Sequence, residues 1–140
     1  MELESILEQE GKPTDAVAAF FIRDGRLLIG LRNYTKGTWK DISVWTAPAG
    51  RCDEGETLGK TLRREVNEEV GIVGFDIVSS LGQLPGAKDG DCLYVFHCVT
   101  DQDATLMEPE KFSEWRWCPI SEIPENFINP LSLELLKDIK

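Results

Sequence analysis

Apolar positions along this chain change period several times, and each change predicts an element. Residues 2–10 carry Leu3, Ile6 and Leu7 at helical spacing, and Gly11 and Pro13 end that short helix. Val17–Ile22 and Arg26–Leu31 are two nearly continuous apolar runs separated by Asp24-Gly25, a pair suited to a tight turn with positive φ at both central positions. Strands without polar alternation are covered on both faces, so helices are expected on both sides of a sheet. Residues 33–43 are polar and read as a surface loop, followed by a third strand over Asp41–Thr46 that runs into Ala47-Pro48-Ala49-Gly50.

A helix is predicted over Thr57–Val70, with Gly71 at the position where a left-handed residue closes a helix. Strands follow at Ile72–Leu84 and Asp91–Thr100, joined by a Gly/Pro/Asp-rich connection. Leu93, Val95, His97 and Val99 share one face of the second. Trp115 and Trp117 alternate in a final strand. Asn129-Pro130 caps a C-terminal helix of residues 131–139. With no internal repeat or linker, residues 1–140 read as one α/β domain.

Charge sharpens this picture. The chain carries 25 acidic against 15 basic residues, a formal charge of −10, which argues against adhesion to nucleic acid or to an anionic membrane. No apolar run approaches the ~20 residues that span a bilayer. The acidic N-terminus does not resemble a secretory signal, so a cytoplasmic location is expected. Cys52, Cys92, Cys98 and Cys118 lack the paired spacing of a zinc site and are read as reduced. His97, with no serine or cysteine partner in view, reads as a packed strand histidine.

The predicted helix at 57–70 carries the chemistry. At about 100° per residue, Leu58, Leu62, Val66 and Val70 form its packing stripe. Glu65 and Glu69 share almost the azimuth of Leu58 and Leu62, with Glu68 beside them. The glutamates thus border the face turned toward the protein. Like charges at this spacing cost about 0.2–0.5 kcal/mol per pair even in water, and burial adds to the cost. A divalent cation removes the difficulty, because Mg²⁺ takes carboxylates together with waters and substrate phosphates.

The segment Gly50–Ile72 resembles the Nudix signature G-x5-E-x7-R-E-U-x-E-E-x-G-U, where U is aliphatic. Gly50, Glu56, Arg64, Glu65, Val66, Glu68, Glu69, Gly71 and Ile72 occupy every specified position. The resemblance implies an αβα sandwich with a mixed β-sheet and Mg²⁺-dependent hydrolysis of a pyrophosphate bond in a nucleoside diphosphate derivative, with Mn²⁺ as a substitute. It implies that Glu65 and Glu69 are metal ligands and that Glu68 is a further ligand or the base that activates water. Gly50 would offer its carbonyl to the metal, and Arg64 would hold the glutamates in place. Glu56 would steady the loop-to-helix junction, or simply favour a helix N-terminus. Glu110 falls where MutT-like members place another acidic residue beside the metal. Ala49 departs from the paired glycines common in the family.

The Glu-Pro-Glu-Lys…Trp-x-Trp run over 108–117 resembles the branch acting on nucleoside triphosphates, so cleavage to a nucleoside monophosphate and pyrophosphate is the leading expectation. Dinucleoside polyphosphates, nucleotide sugars and ADP-ribose are the alternatives, while removal of a nucleotide cap from RNA fits the acidic charge poorly. A nucleotide-sensing module without turnover is the rival from another class, disfavoured by the intact glutamates. Arg32 is a candidate phosphate contact, and Trp39, Trp45 and Trp115 are candidate stacking platforms for a base. The partner expected is a small nucleotide, with neither nucleic acid nor membrane. Oligomeric state is open, a homodimer included.

Overall fold

The computed structural model describes residues 2–33, 43–86 and 89–138. Helix α1 spans Leu3–Leu7, strand β1 Asp15–Arg23 and β2 Arg26–Arg32. Asp24 and Gly25 between these strands have φ of 51° and 74°, the double positive φ that the hairpin requires. The chain continues through β3 (Val44–Thr46), β4 (Ala49–Arg51), α2 (Leu58–Val70), β5 (Asp76–Pro85), β6 (Cys92–Val99) and β7 (Phe112–Pro119). A 3₁₀ turn at Ile120–Glu122 and a 3₁₀ helix at Pro130–Asp138 close it. Among the described residues no helix is long and apolar enough to cross a membrane.

The strands form a mixed sheet. β1 is parallel to β6, and every other pairing is antiparallel: β1 with β2 and β4, β2 with β3 and β7, β5 with β6. β1 and β2 pair only beside their turn and then diverge, β1 toward β4 and β6 and β2 toward β3 and β7.

Both faces are covered, as the unbroken apolar runs require. Val17, Ala19 and Phe21 of β1 point to one core with Leu28, Phe96 and the stripe of α2. Ala18 and Phe20 point to the other, with Leu27, Ile29, Val95, Phe127 and Leu136. Each fully buried side chain of the α2 stripe contributes about 1.5–3 kcal/mol, far more than adjacent glutamates cost the helix.

Four boundaries differ from the sequence reading. β4 is a separate strand just beyond the expected third one, because Ala16, Val17 and Ala18 of β1 offer it an edge. β5 begins at Asp76 rather than Ile72, since Ile72 and Phe75 are spent plugging the core beneath α2. Of the expected third strand, Val44–Thr46 form β3 and Ser43 is not in a strand, while Asp41 and Ile42 lie outside the described residues. The C-terminal segment is a 3₁₀ helix, so the layer opposite α2 is thinner than an α-helical one. All four cysteines are free thiols.

Candidate active site

The turn of chain before α2 makes a charged clasp. Thr57 caps the helix by accepting from the Lys60 amide at 3.2 Å. Gly71, at φ 69°, closes its other end. Arg64 lies at the centre. Its Nε and one terminal nitrogen donate to the two oxygens of Glu56 at 2.8 and 2.9 Å. The same side chain reaches the Arg51 carbonyl at 3.1 Å, the Glu65 carboxylate at 2.7 Å and Glu68 at 3.4 Å. Glu56 also accepts from the Asp53 amide and the Thr61 hydroxyl. These donors, the Arg64 guanidinium first, hold the Glu56 carboxyl down from 4.5 to about 2. Glu56 is thereby the anchor through which Arg64 is aimed at the helix glutamates.

Those glutamates occupy a graded series of environments. Glu69 is buried, with its Oε1 accepting from the Ala49 amide at 2.9 Å. Burial, and then the negative charges of Glu65 and Glu108, push its carboxyl up to about 8 against the pull of that amide and of Arg32. Glu65 is half-buried and also shifted upward by desolvation, with Arg64 pulling it back. Glu68 is the open member, its side chain 50% exposed.

Gly50 explains how Glu65 comes so close to the β4 backbone. A methyl group at Gly50 would fall 2.0 Å from the Glu65 carboxyl carbon, so only glycine leaves room for it. The Gly50 backbone therefore lies directly against the carboxylate.

This cluster suits a hard divalent cation by its chemistry. It offers oxygen donors only, it includes a buried carboxyl with a raised pKa that a cation would relieve, and one backbone approaches without a side chain in the way. Among the described residues no group of three acidic, histidine or cysteine side chains closes on one point. The cluster as folded is a partial shell.

Behind β4 the sheet opens into a cavity of about 330 Å³. Ala16, Ala18, Ala47 and Ala49 form a floor of small side chains, and Phe127 and Leu93 wall it. Glu69, Gly50 and Arg32 line it as well. The cavity thus adjoins the carboxylate cluster directly, and its size and apolar lining with few polar groups are those of a small-molecule site.

The structure brings Gly50, Glu56, Arg64, Glu65, Glu68 and Glu69 together where β4 meets α2, while several of the other sequence candidates lie elsewhere. Glu110 is exposed. The downstream carboxylate whose charge reaches Glu65 and Glu69 is Glu108, two residues earlier. Lys111 folds back on Glu108 at 3.4 Å, and the Lys111 and Phe112 amides both donate to its carbonyl, so the turn before β7 brings position 108 inward.

The tryptophans also fall elsewhere. Trp45 is a core residue, 9% exposed, with the Arg116 guanidinium 4.7 Å from its ring centre. Trp115 packs on the α2 side against Phe112 at 4.6 Å. Neither lines the cavity. The aromatic walls are Phe20, Phe112 and Phe127, and Trp45 serves Phe127 indirectly, since its carbonyl accepts from the Ile128 amide at 2.8 Å and its amide donates to the Asn126 carbonyl at 3.1 Å. Trp39 lies outside the described residues. Arg32 is on the cavity wall with its guanidinium 5.5 Å from the Phe112 ring centre. His97 lies on β6, its pKa lowered by burial.

A family model described as NUDIX domain matches residues 12–139. An RNA pyrophosphohydrolase of Wolbachia pipientis subsp. Culex pipiens is 27% identical, in an alignment covering 94% of this chain and 88% of that protein. Another, from Sphingopyxis alaskensis, is 30% identical over 84% of this chain and 83% of its own. The crystal structure of a MutT NUDIX hydrolase from Burkholderia pseudomallei superposes with a TM-score of 0.70 at 18% identity, covering 92% of this chain and 99% of that one. That likeness is one of fold.

Proposed function

Because this chain belongs to the Nudix hydrolase family, we propose that it hydrolyses a phosphoanhydride bond of a nucleoside 5′-polyphosphate, with a free nucleoside triphosphate as the leading substrate and a nucleoside monophosphate and pyrophosphate as products. One observation carries the reading: Glu69 belongs both to the carboxylate cluster and to the wall of the cavity. A nucleoside seated on the alanine floor would place its phosphates over the glutamates. The domain taken as acting is the whole of residues 1–140.

Glu65, Glu69 and the Gly50 carbonyl would hold Mg²⁺, or Mn²⁺ in its place, with Glu68 and Glu108 close enough to share the task. Such a cation neutralises charge on phosphoryl oxygens and lowers the pKa of water. Glu68, the solvent-open member, takes the proton of the attacking water. Arg64, anchored on Glu56, fixes the rotamers of Glu65 and Glu68, a positioning role in which lost partners typically cost 10–100-fold. Arg32, which lines the same cavity and whose charge reaches Glu69, would meet the phosphates and offset part of the acidic field.

A second reading has a specific observation in its favour, namely the name RNA pyrophosphohydrolase borne by relatives that align over most of this chain. The 5′ end of an RNA presents the same terminal nucleotide and polyphosphate. The net charge of −10 opposes an RNA body behind it.

Incubation with Mg²⁺ and a panel of the four nucleoside triphosphates, dinucleoside polyphosphates, nucleotide sugars, ADP-ribose and a 5′-triphosphorylated RNA oligomer decides the matter. Free triphosphates are expected to turn over fastest, with pyrophosphate released. Much faster turnover of a dinucleotide, a sugar conjugate or the RNA overturns the leading substrate.

A further inference from the structure

The helix that carries the glutamates is gripped at its first turn by the segment that precedes β1. Leaving α1, the chain runs past the N-cap of α2, and Glu10 pairs with Thr57 in a single antiparallel bridge. The Gly11 amide donates to the Glu56 carbonyl at 2.8 Å, and the Leu58 amide donates to the Gln9 carbonyl at 2.9 Å. The two bonds flank the cap, one holding the residue before it and the other the residue after it. Leu58 is the first residue of α2, and an amide at that position has no acceptor inside its own helix. Gln9 supplies one from outside.

Two glycines show how closely the segments approach. Gly11 is buried, and a methyl there would collide with the Cys52 Sγ and lie 3.2 Å from a Leu58 methyl carbon. Gly59, on the helix side, lies against the end of α1. A methyl there would fall 3.1 Å from the Leu7 carbonyl oxygen and 3.3 Å from the Leu7 Cβ. Glycine is a poor residue inside a helix, so position 59 gives up helix propensity for contact with α1. The Gln9 carboxamide adds a third tether, donating to the Tyr94 hydroxyl on β6 at 3.2 Å.

What the grip fixes is Glu56. Its carbonyl is held by Gly11, while its carboxylate takes two nitrogens of Arg64 at 2.8 and 2.9 Å. Arg64 in turn reaches Glu65 at 2.7 Å and Glu68 at 3.4 Å. Between Gly11 and the helix carboxylates there are thus only one residue, one guanidinium and the hydrogen bonds that join them.

We propose that residues 9–11 are a positioning element for catalysis: by clamping Glu56 and Leu58 on either side of the helix cap they aim Arg64, and through it Glu65 and Glu68. The inference rests on the proposed roles of Glu65 as cation ligand and Glu68 as acceptor of the water proton.

Gly11→Ala and Gly59→Ala press the segments apart from opposite sides. Each is made alone and together with Cys52→Gly, which removes the atoms that an alanine at position 11 would strike. Every protein is measured for kcat and KM at saturating Mg²⁺ on the nucleoside triphosphate that wild type turns over fastest. Mn²⁺ affinity is measured by electron paramagnetic resonance without nucleotide. Both alanine variants are expected to lose about 10- to 100-fold in kcat and in Mn²⁺ affinity, with KM little changed. Relative to Cys52→Gly alone, most of the Gly11→Ala loss disappears and the Gly59→Ala loss stays. Alanine is the better helix former, so Gly59→Ala is expected to melt no lower than wild type while losing activity.

Alanine variants that keep both kcat and Mn²⁺ affinity make the segment a packing brace only, and the inference fails. It fails as well if the Gly11→Ala loss is the same with and without Cys52. Should Gly11→Ala not fold, Gly59→Ala decides alone. A wild type that binds Mn²⁺ yet hydrolyses no nucleotide sinks the proposed function, and the Mn²⁺ affinities then judge the grip by themselves.

Discussion

The two faces of the sheet at β4 solve different problems with different materials. On the α2 side, any side chain at Gly50 would have to displace the Glu65 carboxylate, and charge is so dense that an anchored arginine holds the carboxylates in place. On the other side, four alanines leave space unfilled and few charges enter. One side is built to fix atoms and the other to admit a molecule. The contrast teaches that the reaction and the recognition of its substrate are separable here, so single changes should damage one and spare the other.

Removing charge from the crowded face tests this most severely. Glu68→Gln is expected to lower kcat by about 10²–10⁴-fold while nucleotide binding measured by calorimetry persists. Loss of binding in step with rate would show that the two faces are not separable. Gly50→Ala comes next. The added methyl collides with the tip of Glu65, a flexible group that can swing away, so stability should fall little. Displacing that carboxylate by an ångström is expected to cost about 10²-fold in rate. A melting temperature that collapses along with activity would mean the glycine serves the backbone and not the carboxylate.

Glu56→Gln separates anchoring from chemistry more gently, with an activity loss nearer 10-fold. It also carries a pH signature. The folded protein holds the Glu56 carboxyl at about 2, below its ordinary 4.5, so the clasp stabilises the fold fully above that ordinary value. The stabilisation drains away as pH falls from about 4.5 toward 2. Acid titration of the melting temperature should therefore be shallower in the variant than in wild type, and identical slopes would refute the clasp. The smallest effect is expected from Ala18→Val on the open side. Its extra methyls enter the cavity, KM should rise several-fold through lost space, and kcat should hold.

The same contrast governs how much could be read before the fold was known. The crowded face was legible because it is almost one stretch of chain: a helix has a fixed angle per residue, and the spacing of Glu65, Glu68 and Glu69 places them on one side without further information. The hairpin at Asp24-Gly25 was legible for the same reason, its backbone demand being local. The open face is assembled from Ala16, Ala18, Ala47, Ala49, Leu93 and Phe127, brought together only by strand pairing. Small residues give no signal until their neighbours are known, and the eye goes instead to tryptophans, of which Trp45 is buried in the core and Trp115 packs against it. Glu108 escaped because a turn before β7, and not a helical period, directs it inward. The C-terminal segment has helical apolar spacing, which does not distinguish a 3₁₀ helix from an α-helix over so short a run.

β4 is only three residues long, yet Ala49 and Arg51 look one way and Gly50 the other. Because strand side chains alternate with a period of two, an insertion or deletion of a single residue there would turn the strand inside out. An arginine or alanine would then meet the space reserved for a carboxylate, and the hole made by glycine would open uselessly beneath the nucleoside. Lengthening the loops on either side leaves this parity intact. A change of length inside this triplet is therefore expected to cost far more activity than one of equal size outside the strands.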